Sequence, residues 1–531
     1  VIGAAAPRQR CPALGLTLAL ALSGSLLGCA TPRDLNRIVV ARKARVDSVD
    51  PVQAVSLGAI QLLAALGDPL YRLGPDGTLT PVLAAAAPRL SADGLQATVR
   101  LREGLRFHDG TPLDAAALVF SLERFMAIGR LSYLLRDRVA ALEVIAPLEM
   151  RLTLKAPYSP LPELLSSTLL TPVSPTAYRD HADRPLNTRF VGTGPYRLAA
   201  FDPQRQRLEP WQDYPGPPPA NRGLDLISFS NSTALFGALL SDEVDVLLSS
   251  SLESDQQRAL HQRAGQGGLK EAVGPALGIT YLALRTDQPP LDRPELRRAL
   301  ALSVARRPVN ARVSHGLNRP WRSVVPPSIG GSLAGAWPAY DPEQARRLLR
   351  QSGYCQGERL QLPLTFRSNS ANDRLFALTW QAQIARDLGD CINLETSGVE
   401  STTAYRQLGD GAFPMIMLDW KPDFPDADSY LSPLLSCRES EGERCLAGES
   451  ASGGSFWTRP GLQEQLVRSQ EIRGEARTRV LEDIQREAAG GVPVIPIWLE
   501  AIRVWGQPRV GGLQFDGTGL LRLARLSTEG R

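Results

Sequence analysis

The chain is poor in the residues and motifs of catalysis. Its four histidines, His108, His181, His261 and His315, lie far apart without the spacing of a metal site, so no metal is expected. No G-x-S-x-G, H-E-x-x-H or Ser-x-x-Lys stretch occurs, so nothing supplies the nucleophile, base and orienter of an exported hydrolase. An enzyme is therefore not expected, nor a cofactor. There is no C-x-x-C pair, and no histidine neighbours a cysteine, which argues against zinc. No basic stripe with interleaved aromatics accompanies the net charge of +4, and nucleic acid is not an expected partner. Gly192-Thr193-Gly194 lacks a third glycine, and Pro195 leads into strand-like Tyr196-Arg197-Leu198 instead of a helix, so it is no dinucleotide loop. It reads as a tight turn with its glycines at positive φ, where the chain crosses between lobes.

The rest is the composition of a folded protein. Of 531 residues, 43% are hydrophobic and 21% charged, enough for two or three domains with sizeable cores. Arg8 and Arg10 precede an apolar run, Ala13 to Leu27, that ends in Leu26-Leu27-Gly28-Cys29. The order resembles a bacterial lipoprotein signal: residues 1–28 are expected to be removed, Cys29 to carry lipid, and 29–36 to act as a tether. The mature charge is then near +2, since two arginines leave with the signal. No later apolar run approaches the ~18 residues of a membrane span. With Cys11 and Cys29 set aside, Cys355, Cys391, Cys437 and Cys445 remain. In an oxidising compartment the pairing favoured among three connectivities is Cys355 to Cys391 and Cys437 to Cys445.

Periodicity supplies the elements. Ile38-Val39-Val40 is a strand that runs into the basic cluster Arg42, Lys43 and Arg45, and Pro51 to Leu66 is helical in tone. Leu95, Ala97, Val99 and Leu101 alternate with polar residues as in a half-buried strand, and Asp114 can cap a helix with Leu118, Leu122 and Phe125 on one face. Leu142 to Leu154 reads as an alternating strand pair, and Pro157 to Pro175 as proline-rich loop. Asp341-Pro342-Glu343-Gln344 has the signals of a helix start. From Leu362 to Leu418, strands and helices alternate, the mark of a mainly parallel sheet with covering helices. Arg438 to Ser455 is a polar loop, Leu462 to Ala489 is helical, and Val494 to Trp505 gives late strands.

The stretch Phe413 to Leu435, FPMIMLDWKPDFPDADSYLSPLL, joins an apolar strand, Met415 to Leu418, to Trp420 and Asp423 beyond its end. An aromatic plane and a carboxylate at such a place suit a cationic group. Asp426 and Asp428 read as turn and cap residues.

Six stretches in order resemble the dipeptide/oligopeptide-binding class of extracellular solute-binding proteins of ABC importers: Leu101 to Phe125, Val191 to Leu198, Leu239 to Leu247, Pro289 to Arg306, Tyr340 to Tyr354 and Phe413 to Leu435. The resemblance covers nearly the whole mature chain. It implies a three-lobed α/β periplasmic binding protein fold with hinged lobes around the ligand. Lobe I would comprise 37–71, 190–277 and 494–531, lobe II the insertion 72–189, and lobe III 278–493. It also implies that Asp423, with Trp420 beside it, binds a peptide's ammonium and that Arg367 pairs its carboxylate. Partners implied are a short peptide, ABC permease transmembrane subunits, and the membrane through the lipid anchor of a monomeric, exported protein.

Ala116, Ala117, Arg285 and Ala305 depart from the family's usual residues. If Arg285 and the cluster Arg42, Lys43 and Arg45 faced the cleft, the ligand would tilt towards acidic or anionic solutes, though surface placement is the ordinary fate of such side chains. A metal chelate, an oligosaccharide or an opine-like compound is the alternative ligand.

Overall fold

A computed structural model of the chain describes residues 37–43 and 45–528, Ser251 without its side chain. The expected signal, tether and Cys29 lie outside these residues. The strand Ile38–Lys43 is the centre of a seven-stranded sheet, paired in parallel with Leu224–Phe229 on one side and Val246–Leu248 on the other. Its β-branched run is buried on both faces, as a central strand requires. Ile38 and Val40 face a core that includes Leu62, Leu63 and Leu66, while Val39 and Ala41 face Leu235 and Leu239. The alternation along one strand thus joins two cores.

A six-stranded sheet runs in the order Arg319–Pro320, Val494–Glu500, Gly278–Leu284, Met415–Trp420, Leu360–Arg367 and Ile392–Val399. Leu360–Arg367 is parallel to both neighbours, as the alternating strands and helices predict. The other half is antiparallel, because Gly278–Leu284 runs opposite to Met415–Trp420 and Val494–Glu500. A third, antiparallel sheet of four strands contains the alternating strand Gln96–Arg100 and the hairpin Val139–Ala146 with Glu149–Leu154. The helix Ala115–Ile128 packs on it, capped by Asp114, which accepts from the N–H of Ala117 at 2.8 Å. Asp341 caps Pro342–Gln351 in the same way. Both expected disulfides are formed.

Several sequence expectations need correction. The first helix begins only at Leu57, capped by Ser56. Upstream, Asp50 is drawn into a fully buried pair with Arg124 and turns the chain through its bond to the N–H of Val52. The run 462–489 breaks into Leu462–Glu471 and Gly474–Gly491, with Gly474 at φ +61°. The loop at 438–455 holds a hairpin and a short helix, and 157–175 holds short helical turns. The strand Val494–Glu500, grouped by sequence with lobe I, pairs in the six-stranded sheet, and only Arg503–Gly506 reaches the seven-stranded one. Gly192 and Gly194 do not adopt positive φ. They are required for close approach: a Cβ on Gly194 would stand 2.5 Å from the backbone carbon of Leu66, and the Gly194 N–H donates to the Leu66 carbonyl at 2.9 Å.

Candidate functional site

The chain leaves the seven-stranded sheet after Val273 for the six-stranded sheet at Gly278 and returns between Glu500 and Arg503. The two crossings lie side by side, the N–H of Gly274 donating to the carbonyl of Ile502 at 2.8 Å. Beside them a cavity of about 310 Å³ opens between the sheets, lined by Leu57, Ile60, Leu131, Asp423, Phe424 and Glu500 among others. Apolar walls with a few polar groups are what small-molecule sites offer.

Asp423 is placed by the end of Met415–Trp420. Ser429 staples the turn: its hydroxyl accepts from the Asp423 N–H at 2.9 Å, and its carbonyl accepts from the Trp420 indole at 2.7 Å. Trp420 packs against the lobe core and does not line the cavity. One Asp423 oxygen accepts from the Tyr133 hydroxyl at 2.9 Å, and no cation stands within ion-pair distance among the described residues. Burial raises its pKa, opposed by the Tyr133 hydrogen bond and the more distant Arg138.

Asp426 and Asp428, expected to be turn and cap residues, have a larger role. Asp426 does accept from the Asp428 N–H, but its carboxylate is also held by both terminal nitrogens of Arg477, at 2.6 and 2.8 Å. Asp428, buried, accepts from Tyr158 at 2.8 Å, from Gln470 at 2.8 Å and from Ser432 at 2.5 Å. Tyr158 belongs to the segment inserted before Gly192, so these bonds fasten it to the six-stranded half. Phe424 closes the same seam by burying its ring among the residues around Ile38 and Leu62. Sequence reasoning missed this latch because its partners are remote along the chain.

A second cavity of about 270 Å³, polar, lies on the other side of Glu500, which lines both. Arg367 borders it, fixed by Asp373 through Nε at 2.7 Å and Nη2 at 3.1 Å, by the Tyr405 hydroxyl at 3.0 Å, and by Asp419. Glu500 accepts from Thr280 at 3.2 Å, and burial raises its pKa. The arginines that would tilt the site towards anions line neither cavity. Arg42 is buried against Gln206, Ser228 and the Gly58 carbonyl, and its pKa falls to about 10 by desolvation. Arg285 pairs with Asp287 and binds the Gly411 carbonyl.

The sequence profile described as bacterial extracellular solute-binding proteins, family 5 Middle, matches residues 78–442. The chain belongs to this family. Its members are solute-binding components of ABC importers, acting outside the cytoplasm with permease subunits. The glutathione-binding protein GsiB of Escherichia coli O6:K15:H31 (strain 536 / UPEC) is 28% identical over 437 residues, 80% of this chain and 81% of that one. The dipeptide-binding protein of Pseudoalteromonas sp. SM9913 in complex with Met-Leu superposes with a TM-score of 0.74 at 22% identity, over 93% of this chain and 100% of that one. NikA of Brucella suis in complex with Fe(III)-EDTA gives 0.80 at 21% identity, over 93% and 100%. These likenesses show the three-lobed α/β fold of the periplasmic binding proteins.

Within this family member the latch carries a titratable group. Glu163, on the short helix Leu161–Leu164, is pushed up to about 7, first by burial and then by the charge of Asp426, with Arg477 opposing. Unfolded, it ionises near 4.5, so between 4.5 and about 7 the folded chain holds the extra proton. Its contribution to stability therefore declines through that window as pH rises, by at most about 1.4 kcal/mol per pH unit, and levels off above it. Thermal melts of Glu163→Gln between pH 5 and 8 are expected to lose this slope; a slope equal to that of the parent chain would contradict the assignment.

Proposed function

We propose that this protein captures a short peptide, or an amine-bearing solute of similar size, between its hinged lobes and presents it to ABC permease transmembrane subunits. The observation that carries the reading is Asp423. A carboxylate desolvated at the wall of a cavity, with a hydroxyl but no cation beside it, is an uncompensated charge that a ligand ammonium would complete. Trp420 serves by fixing the turn that aims Asp423, a positioning role.

The size fits. Cavities of about 310 and 270 Å³ that share Glu500 as a wall are at the small end of ligand sites and suit a di- or tripeptide. The relative named for glutathione and the fold neighbour holding Met-Leu support a peptide. The hinge in this reading is the paired crossing at Gly274 and Ile502, and lobe I comprises 37–71, 190–277 and the chain after Glu500. Lobe II is 72–189, and lobe III extends to include Val494–Glu500. The protein works as a monomer tethered through a lipid on Cys29.

Asp423→Asn should weaken dipeptide binding by roughly 2 to 5 kcal/mol, since it removes the charge partner of a desolvated ammonium. The ligand-free melting temperature should hardly move, because no ion pair is lost. Calorimetry with Ala-Ala amide measures the first, and undiminished affinity would refute the role. Cys29→Ala should shift the protein from the membrane to the soluble fraction; retention in the membrane would exclude the anchor.

A further inference from the structure

Arg367 is where a ligand carboxylate was expected, yet its guanidinium has no edge left to give. The edge formed by Nε and Nη2 is taken by both oxygens of Asp373. Nη1 is engaged by Asp419 and by the Tyr405 hydroxyl. Three of the five N–H donors of an arginine are thereby hydrogen-bonded, and with Asp419 lying against Nη1 the two that remain cannot form the parallel pair of bonds a carboxylate takes.

The charges say the same. The cavity beside Arg367 is lined by that one guanidinium and by the carboxylates of Asp373, Asp419 and Glu500. Lys421, which lines the first cavity, is exposed and its charge acts on Glu500. A ligand carboxylate brought to Arg367 would have to displace Asp419 or lie against it, and like charges in a partly buried site repel. Asp373 is held by Ser370 as well as Arg367, so it is the fixed partner. Asp419, with its side chain 30% exposed to the cavity, is the one that decides whether Arg367 is offered to a ligand.

We infer that Asp419 is a specificity-determining residue: by masking Arg367 it sets the cleft to take amine-bearing ligands that bring no carboxylate to this end. Peptide amides, or amines with a neutral far end, are the class selected. The inference rests on the proposed role of Asp423 for the amine.

The test compares Ala-Ala with Ala-Ala amide by titration calorimetry, in the full-length protein and in Asp419→Asn. The parent chain is expected to bind the amide at least tenfold more tightly than the free acid. Asp419→Asn is expected to bring the ratio within threefold, chiefly by tighter binding of the acid. Equal or tighter binding of the acid by the parent chain would overturn the masking, and so would an unchanged ratio in the variant. The parent ratio decides alone if circular dichroism finds the variant unfolded. Binding of neither probe would overturn the amine reading and this inference with it, whereas an acid preference that still depends on Asp423 overturns the masking only.

Discussion

The paired crossing between the two larger sheets is the constraint on which the rest depends. Among the described residues two segments join the six-stranded half to the remainder, and the bond from Gly274 to Ile502 keeps them together. That leaves the strand ends of Met415–Trp420 and Val494–Glu500 facing the opposite half across a gap. Glu500 sits at the point where the chain turns back, which is why it lines both cavities. Rotation about two short adjacent segments opens such a gap and withdraws Phe424 from the core around Ile38 and Leu62.

Beside the buried ring of Phe424, polar bonds close the gap. Tyr158 and Gln470 meet on Asp428, Arg477 grips Asp426, and Tyr133 reaches Asp423. Each bond is worth little net in a fold of this size, but a buried carboxylate left without partners is costly, so closure and pairing go together. Asp426 and Asp428 are satisfied within the protein. Asp423 has a single hydroxyl beside it, and in the proposed function it is the one of these three neighbouring carboxylates that a ligand cation completes.

Much of the architecture was legible where local chemistry decides. Gln96–Arg100 follows its alternation, Asp114 and Asp341 cap as their side chains dictate, and the cysteines pair with their near neighbours. The failures came where distant residues decide. Asp50 unwinds a helical-looking stretch because Arg124 draws it, and Asp428 meets Tyr158 across 270 positions of sequence. A strand such as Val494–Glu500 declares its buried character but not its sheet, since pairing is set by partners elsewhere. Asp423 and Arg367 could be named from the sequence and each lines a cavity, while the occupancy of Arg367 by Asp373 and Asp419 was not readable. The anionic tilt was conditional on Arg285 and the Arg42 cluster facing the cleft; Arg42 is buried and Arg285 is paired away from it, and carboxylates line the cavity beside Arg367.

A crystal structure of the full-length protein with Ala-Ala amide bound decides whether Asp423 takes the amine. The ligand's ammonium nitrogen is expected within hydrogen-bond distance of an Asp423 oxygen, in the cavity between Leu57 and Phe424. An ammonium placed against Asp419 or Glu500, with Asp423 still facing only Tyr133, would contradict it.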